Sequence, residues 1–245
     1  MSQVAALPTR RDEDFRYADL AALTPLWPVA AEQVRVPGGE AQTMTLILAG
    51  GEAVARELVV TLGAGASFDL RVLNANGAYG RVALRAELGE GANFTLGAAQ
   101  LAAGEQVLEI VTQVVHAAPD AVSRQIVRSV AGGQASVNCL GKVLVAKGAN
   151  GTDGEQSVRA MLLDRTATAN ARPELEIHAD DVKCAHGCAV GELDANGLFY
   201  MAARGIPPET AKRLMLQAFV AEAFAGAAEE EALLEQALAA LEAML

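Results

Sequence analysis

Nine residues of this chain recur 26 positions later. Leu62-Gly63-Ala64-Gly65-Ala66-Ser67-Phe68-Asp69-Leu70 aligns with Leu88-Gly89-Glu90-Gly91-Ala92-Asn93-Phe94-Thr95-Leu96, and six of the nine residues are identical. A repeat of this length is the mark of a solenoid, in which each unit buries its apolar face only against its neighbours. Around the repeat, short Val/Leu/Ile runs bounded by Gly and Asn read as strands, among them Leu58–Leu62, Arg81–Leu88, Val107–Val115 and Val137–Val145. Strands with glycine turns at this spacing suggest a mainly β chain wound as a β-helix. On periodicity alone, a sandwich of hairpins competes with it.

The core has to be built from small and branched residues. Although 52% of the chain is hydrophobic, only 4% is aromatic, and 51 of the 245 residues are Ala. Three regions follow: an N-terminal arm (1–40), a Gly- and Val-rich β-helix core (41–195) and a helical tail (197–245). In the arm, Asp12 to Leu23 reads as a short helix, with Asp12, Glu13 and Asp14 at its positive end and Pro25 beyond it. Phe15, Tyr17 and Trp27 are expected to cap the end of the core. In the tail, Pro207 and Pro208 open one helix. Ala211, Leu214, Met215, Ala218 and Phe219 form its apolar stripe. Gly226 is its stop, and Glu229 to Glu231 open a second helix carrying Leu234, Leu238 and Leu241.

Charge and cysteine content narrow the partners. The net charge is −11, and the last 32 residues contain six Glu and no Lys, Arg or Asp. Such a chain is a poor general binder of nucleic acid or of anionic membrane. No apolar run approaches the ~20 residues of a membrane span, and Met1 to Arg11 lacks the apolar stretch of a secretion signal. Three cysteines, Cys139, Cys184 and Cys188, fit a reducing cytoplasm better than a disulfide scaffold. Gly141-Lys142-Val143 lacks the hydroxyl residue of a phosphate-binding loop, and no Gly-x-Ser-x-Gly elbow occurs.

One constellation carries chemistry: Glu174-Leu-Glu-Ile-His178-Ala-Asp180-Asp181-Val-Lys-Cys184-Ala-His186-Gly-Cys188. Leu175, Ile177 and Ala179 alternate with polar residues, as in a half-buried strand. If the extended path continues, Cys184, His186 and Cys188 project from the outward face. Neighbours at i and i+2 then stand roughly 6.6 Å apart, too spread for one metal at ~2.0–2.3 Å bonds. They would more easily give one or two ligands to a site completed by another chain. Asp180-Asp181 or Gly187 could turn the chain and break this alternation. Cys139 reads as a buried filler, and His116, beside Pro119-Asp120, as a turn or surface residue.

Arg172-Pro-Glu-Leu-Glu-Ile-His-Ala-Asp-Asp-Val-Lys-Cys-Ala-His-Gly-Cys-Ala-Val-Gly-Glu-Leu-Asp194 and Leu198-Phe-Tyr-Met-Ala-Ala-Arg-Gly-Ile206 resemble the C-terminal signature of the SufB/SufD family of Fe–S cluster assembly scaffolds. The Lys183-Cys184-x-His186-Gly187 form is similar to the SufD branch. Glu13-Asp-Phe-Arg-Tyr-Ala-Asp-Leu20 and Thr152-Asp-Gly-Glu-Gln156 are similar to further family segments. The resemblance implies a right-handed parallel β-helix followed by a C-terminal helical domain. It implies a scaffold subunit rather than an enzyme, pairing with SufB through the β-helix and docking the ATPase SufC through the C-terminal helices. His186, with Cys184 as the lesser candidate, would contribute to a transient iron or Fe–S site at the shared interface. Arg204, Gly205 and Ile206 would form the hinge, and Leu214, Met215 and Phe219 the docking surface for the ATPase. Two other readings stand beside this one. The first is a zinc metalloenzyme using Cys184, His186 and Cys188, with Asp180 or Asp181 as base. The second is a homo-oligomeric scaffold that works without SufB.

Overall fold

A computed structural model describes residues 6–75 and 77–245. Twelve strands alternate between two six-stranded sheets. The first sheet holds β1 (Ala31–Val36), β3 (Val54–Leu62), β5 (Tyr79–Leu88), β7 (Val107–His116), β9 (Ser136–Val145) and β11 (Thr168–Ile177), in that order. The second holds β2 (Ala41–Leu48), β4 (Ser67–Ala75), β6 (Asn93–Ala102), β8 (Val122–Ala131), β10 (Asp153–Leu162) and β12 (Lys183–Gly191). Neighbouring strands in each sheet are parallel. The chain is therefore a parallel β-solenoid of six turns, and the hairpin sandwich is set aside. The first strand lies within residues 1–40, where Val34 and Val36 point inward.

The repeat is a corner motif, and each glycine has a separate task. A Cβ at Gly89 would sit 2.8 Å from the Leu62 carbonyl of the preceding turn, so the turns stack closely only over hydrogen. Gly65 and Gly91 are left-handed, at φ 66° and 61°, which side chains with a Cβ resist. Gly65 N–H donates to Glu90 O, and Gly91 N–H to Pro119 O, which ties each corner to the next. The repeated Phe68 and Phe94 are in register and stack in the interior, centroids 6.3 Å apart. Later turns lengthen: Leu62 pairs with Leu88, but Asn93 pairs with Val122 and Ser136 with Thr168.

The interior changes character along the axis. Its early turns are lined by Leu46, Leu58, Leu70, Leu84 and Leu96. Its later turns bury Thr112, His116, Ser123, Gln125 and Gln156. His116 therefore departs from the turn or surface position expected of it. It ends β7 facing inward, and its Nε2 lies 2.9 Å from Ser123 Oγ. Burial pushes its pKa down to about 4.

The arm crosses the outer face of the first sheet and does not cap the coil's end. The helix expected over 12–23 is broken into 3-10 turns at Glu13–Phe15 and Thr24–Leu26 and one helical turn, α1 (Leu20–Leu23). Asp19 caps α1 by accepting from Ala21 N and Ala22 N, which starts a new helix where a continuous one was expected. Phe15 meets Trp27 edge to face at 5.8 Å. It also lies under the Arg81 guanidinium, 4.3 Å from its ring centre. Arg81 forms a buried ion pair with Glu109 and donates to Asp14 O at 2.9 Å. Asn138 donates to Tyr17 O, so the arm is held at several points on this wall.

Three more helices follow the solenoid: α2 (Ala195–Ala202), α3 (Pro208–Ala221) and α4 (Glu230–Glu242). The last two lie on the outer face of the second sheet. Leu216, Phe219, Val220, Phe224, Leu233 and Leu241 pack with Leu73, Leu101 and Val130. Arg128 holds Glu222 through Nε and Nη2, at 2.8 and 2.7 Å. Arg71 donates to Ala223 O at 3.0 Å. Gly97 makes the notch for this contact: a Cβ there would stand 1.9 Å from Ala223 O. α3 stops at Ala221, five residues before the expected stop at Gly226, which at φ 77° closes the turn that follows.

Candidate functional site

The chemistry-bearing residues sit on β12, the last strand of the second sheet. Among the described residues β12 pairs only with β10, so its other edge is open. Register places Cys184 beside Gly154, His186 beside Gln156 and Cys188 beside Val158. Those three β10 residues face the interior and are buried, so Cys184, His186 and Cys188 face inward as well. Cys184 Sγ lies 3.5 Å from where a Gly154 side chain would begin, and Cys184 packs with Val143 and Leu175. Cys188 Sγ is 3.8 Å from Ala171 O, across the coil on β11.

This corrects the outward-face expectation. Leu175 and Ile177 do point inward, in register with Val143 and Val145. The chain then turns at Asp181, whose φ of 55° is left-handed. The corner resets the alternation, and the even residues of β12 join the inward set. Asp181 occupies the same stack as the repeat glycines, and its carbonyl accepts from the left-handed Gly151.

Inward does not mean sealed, because among the described residues no further turn covers the rung. His186 and Cys188 are exposed and Cys184 is half-buried. The inward-facing Ile177 and Val190 are 43% and 45% exposed. At the opposite end the inward Val34, Val36, Leu46 and Leu48 are all buried. The first turn also exposes inward positions, but they are the polar Glu32 and Gln42; the last turn exposes aliphatic and ligand-type side chains. Burial is the largest influence on the Cys184 thiol and raises its pKa, with the Gly154 backbone opposing. Cys139 lies deeper, 3% exposed, and burial pushes its thiol up to about 12.

The three β12 side chains form a line, not a chelate. Among the described residues, no group of three or more His, Cys, Asp or Glu is placed to hold a metal ion. Asp181 is committed to the corner. The zinc-enzyme reading therefore finds neither its ligand set nor its base gathered.

The tail presents a second exposed surface. Asp194 caps α2 by accepting from Asn196 N and Gly197 N. Phe199 and Tyr200 stand 76% and 57% exposed, and the Arg204 guanidinium lies 3.7 Å over the Tyr200 ring. Gly205 (φ 80°) ends α2, and Ile206 N–H returns to Met201 O. Arg204, Gly205 and Ile206 are thus the connection between α2 and α3. On α3, Leu214 is exposed and Met215 half-buried against Gly197. Phe219 lies elsewhere: it is 7% exposed, turned toward the solenoid wall beneath Arg128. It is an anchor of the tail, and Phe199 and Tyr200 take its place on the exposed face. The adjacent aromatics Phe199 and Tyr200 in the run after Asp194 were the signal for them.

A six-turn parallel β-solenoid, open at an end that carries a thiol–imidazole rung and bearing a helical tail on its wall, defines the class of molecule. Residues 45–219 match the family model described as SUF system FeS cluster assembly, SufBD core domain. The chain belongs to the SufBD family. It is 40% identical over 121 residues to Protein ABCI7, chloroplastic, of Arabidopsis thaliana, covering 48% of this chain and 25% of that protein. It is 32% identical over 151 residues to the iron-sulfur cluster assembly protein SufD of Escherichia coli, covering 62% of this chain and 36% of that protein. With SufD of Bacillus subtilis the identity is 35% over 120 residues, covering 48% of this chain and 27% of that protein. The chain thus spans about a quarter to a third of the length of these relatives. Among the described residues no helix is long and apolar enough to cross a membrane.

Proposed function

We infer that this chain is a scaffold subunit for Fe–S cluster assembly, with iron and sulfide as its cargo. It pairs with a SufB-type subunit end to end, through the open rung formed by β11 and β12. The observation that carries this reading is the exposure of inward-facing aliphatic residues beside His186 at that end. A coil whose terminal rung presents Ile177, Val190 and an exposed His186 has apolar surface and a soft ligand in the same plane. Another chain laid on that rung would bury the aliphatic groups and complete the ligand set. A neutral imidazole suits iron, and a thiol that loses its proton on binding suits iron and sulfide chemistry.

The second partner is a SufC-type ATPase, held on the exposed face of α2 and α3 by Phe199, Tyr200, Arg204, Leu214 and Met215. Aromatic and arginine side chains at this exposure are the residue types that anchor interfaces. ATP-driven movement of the paired ATPases pulls on the tail, with Arg204, Gly205 and Ile206 as the joint. Arg71 and Arg128 pass the load to the second sheet.

The test is His186→Ala in the complex reconstituted with a SufB-type and a SufC-type subunit. The variant should co-elute with both partners and lose at least tenfold in cluster formation, read from Fe–S absorption. Unchanged cluster formation sinks the assignment of His186. A chain that forms only a stable homodimer, and never a mixed pair, replaces this reading with the homo-oligomeric scaffold.

A further inference from the structure

We propose that Gln156 is the positioning residue for the His186 imidazole, standing at the free end of a polar ladder inside the last turns. Gln125, Gln156 and His186 occupy the same register position on three successive strands, β8, β10 and β12. Facing them across the interior are Thr112, Gly141 and Pro173, also in one register line on β7, β9 and β11. Gln125 and Gln156 are 1% and 2% exposed, so their amides depend on partners within the coil.

The ladder has a direction. Thr112 Oγ1 donates to Gln125 Oε1 at 3.0 Å, and Gln156 Nε2 donates to the same oxygen at 3.5 Å. Both contacts spend donors of Thr112 and Gln156 on Gln125. Gln156 Oε1 is left buried and without a hydrogen-bond partner at the His186 end, as is Gln125 Nε2 one strand deeper. A buried orphan acceptor is destabilising, and native folds keep few of them. The next residue along the line is His186, and a neutral imidazole has one N–H to give.

The shape of the interior lets Gln156 do this. A Cβ at residue 141 would lie 2.0 Å from Gln156 Nε2, so the glycine there makes room for the amide to cross the coil. The amide thereby floors the open rung. Strands in a sheet are about 4.8 Å apart, so a ring on β12 turned toward β10 reaches it. The other groups bordering the ring leave the N–H this acceptor. Cys184 and Cys188 flank it on β12, Pro173 and Leu175 face it from β11, and Glu155 and Ser157 of β10 point to the outer face. With one nitrogen committed to Gln156, the other keeps its lone pair for a ligand bond, as an outer-shell partner does for a metal-binding histidine.

The value of a fixed ring to iron rests on the function inferred above; the ladder does not, and the experiment separates them. The ring nitrogens of His186 in the full chain, free of metal and partners, are observed by 15N NMR at about pH 8.5, above the ordinary imidazole range. In the native chain one tautomer should dominate, with a slowly exchanging ring N–H. Gln156→Leu should shift the tautomer ratio by about fivefold, the scale of a net hydrogen bond. Gln156→Glu, which keeps an acceptor, should preserve the native bias. Gln156→Met serves if leucine disturbs the packing. Equal tautomer ratios in the native chain and in the Leu or Met variant overturn the proposal. A changed ratio together with unimpaired cluster formation in His186→Ala leaves Gln156 as the positioning residue and removes iron as its purpose.

Discussion

Single residues of this protein are governed by which turn they occupy. His116 shows how strongly. Its ring is enclosed beside Ser123, and desolvation pushes its pKa from 6.5 down to about 4. The unfolded chain therefore binds a proton in this interval that the folded chain refuses. Stability from this group is fully present above about pH 6.5 and is lost as pH falls toward 4. In urea titrations at several pH values, His116→Gln should lose roughly 3 kcal/mol less than the native chain between pH 7 and 4. Parallel pH profiles would show that the ring is hydrated. The sequence carried no sign of this burial. Pro119 and Asp120 mark the corner correctly, but a corner begins immediately after an inward residue, and local composition does not say on which side.

At the scale of elements, the solenoid and its tail are joined by a few contacts of high consequence. The end of α3 descends into the notch at Gly97, where Arg71 and Arg128 meet Ala223 O and Glu222. Gly97→Ala places a methyl group 1.9 Å from Ala223 O, so the helix end has to move. Hydrogen exchange should speed up tenfold or more over 208–224 and remain slow in β5, β7 and β9, because the turns hold one another independently of the tail. Unchanged protection over 208–224 would show that the joint tolerates the displacement. The helices themselves were readable from spacing, although α3 stops at Ala221 and not at Gly226. Their orientation was not. Ala211, Met215 and Phe219 recur as a stripe, but so do Leu216, Val220 and Ala223, and only the wall of Leu73, Leu101 and Val130 selects the second set with Phe219. Leu214 and Ala218 are consequently left facing solvent.

The whole molecule presents two separate surfaces, one at the end of the coil and one on its tail. If each serves one partner, they are lost independently. Ile177→Asp with Val190→Asp puts charge into the open rung and should weaken binding to a SufB-type subunit at least tenfold, leaving binding to a SufC-type ATPase intact. Phe199→Ala with Tyr200→Ala should do the reverse. Isothermal titration of each pair measures both effects, and loss of both bindings in either variant would contradict two independent surfaces.

The solenoid was written in the sequence because its needs are local. At the two corners of equal length a left-handed glycine stands near a hydrogen-sized one, so the motif repeats; in the longer turns Asp120 and Asp181 take left-handed positions and Ala117, Ala146 and His178 replace the close-packed glycine, and the repeat fades. The family signature was legible for the same reason, as a contiguous run through Cys184 and His186. Three things belonged to the tertiary structure alone: the direction in which that run faces, the buried side of α3, and the polar ladder beneath His186. Each depends on residues far apart in the chain that stacking brings into line. The left-handed Asp181 turns the Cys184–His186 rung inward, and among the described residues no further turn covers it.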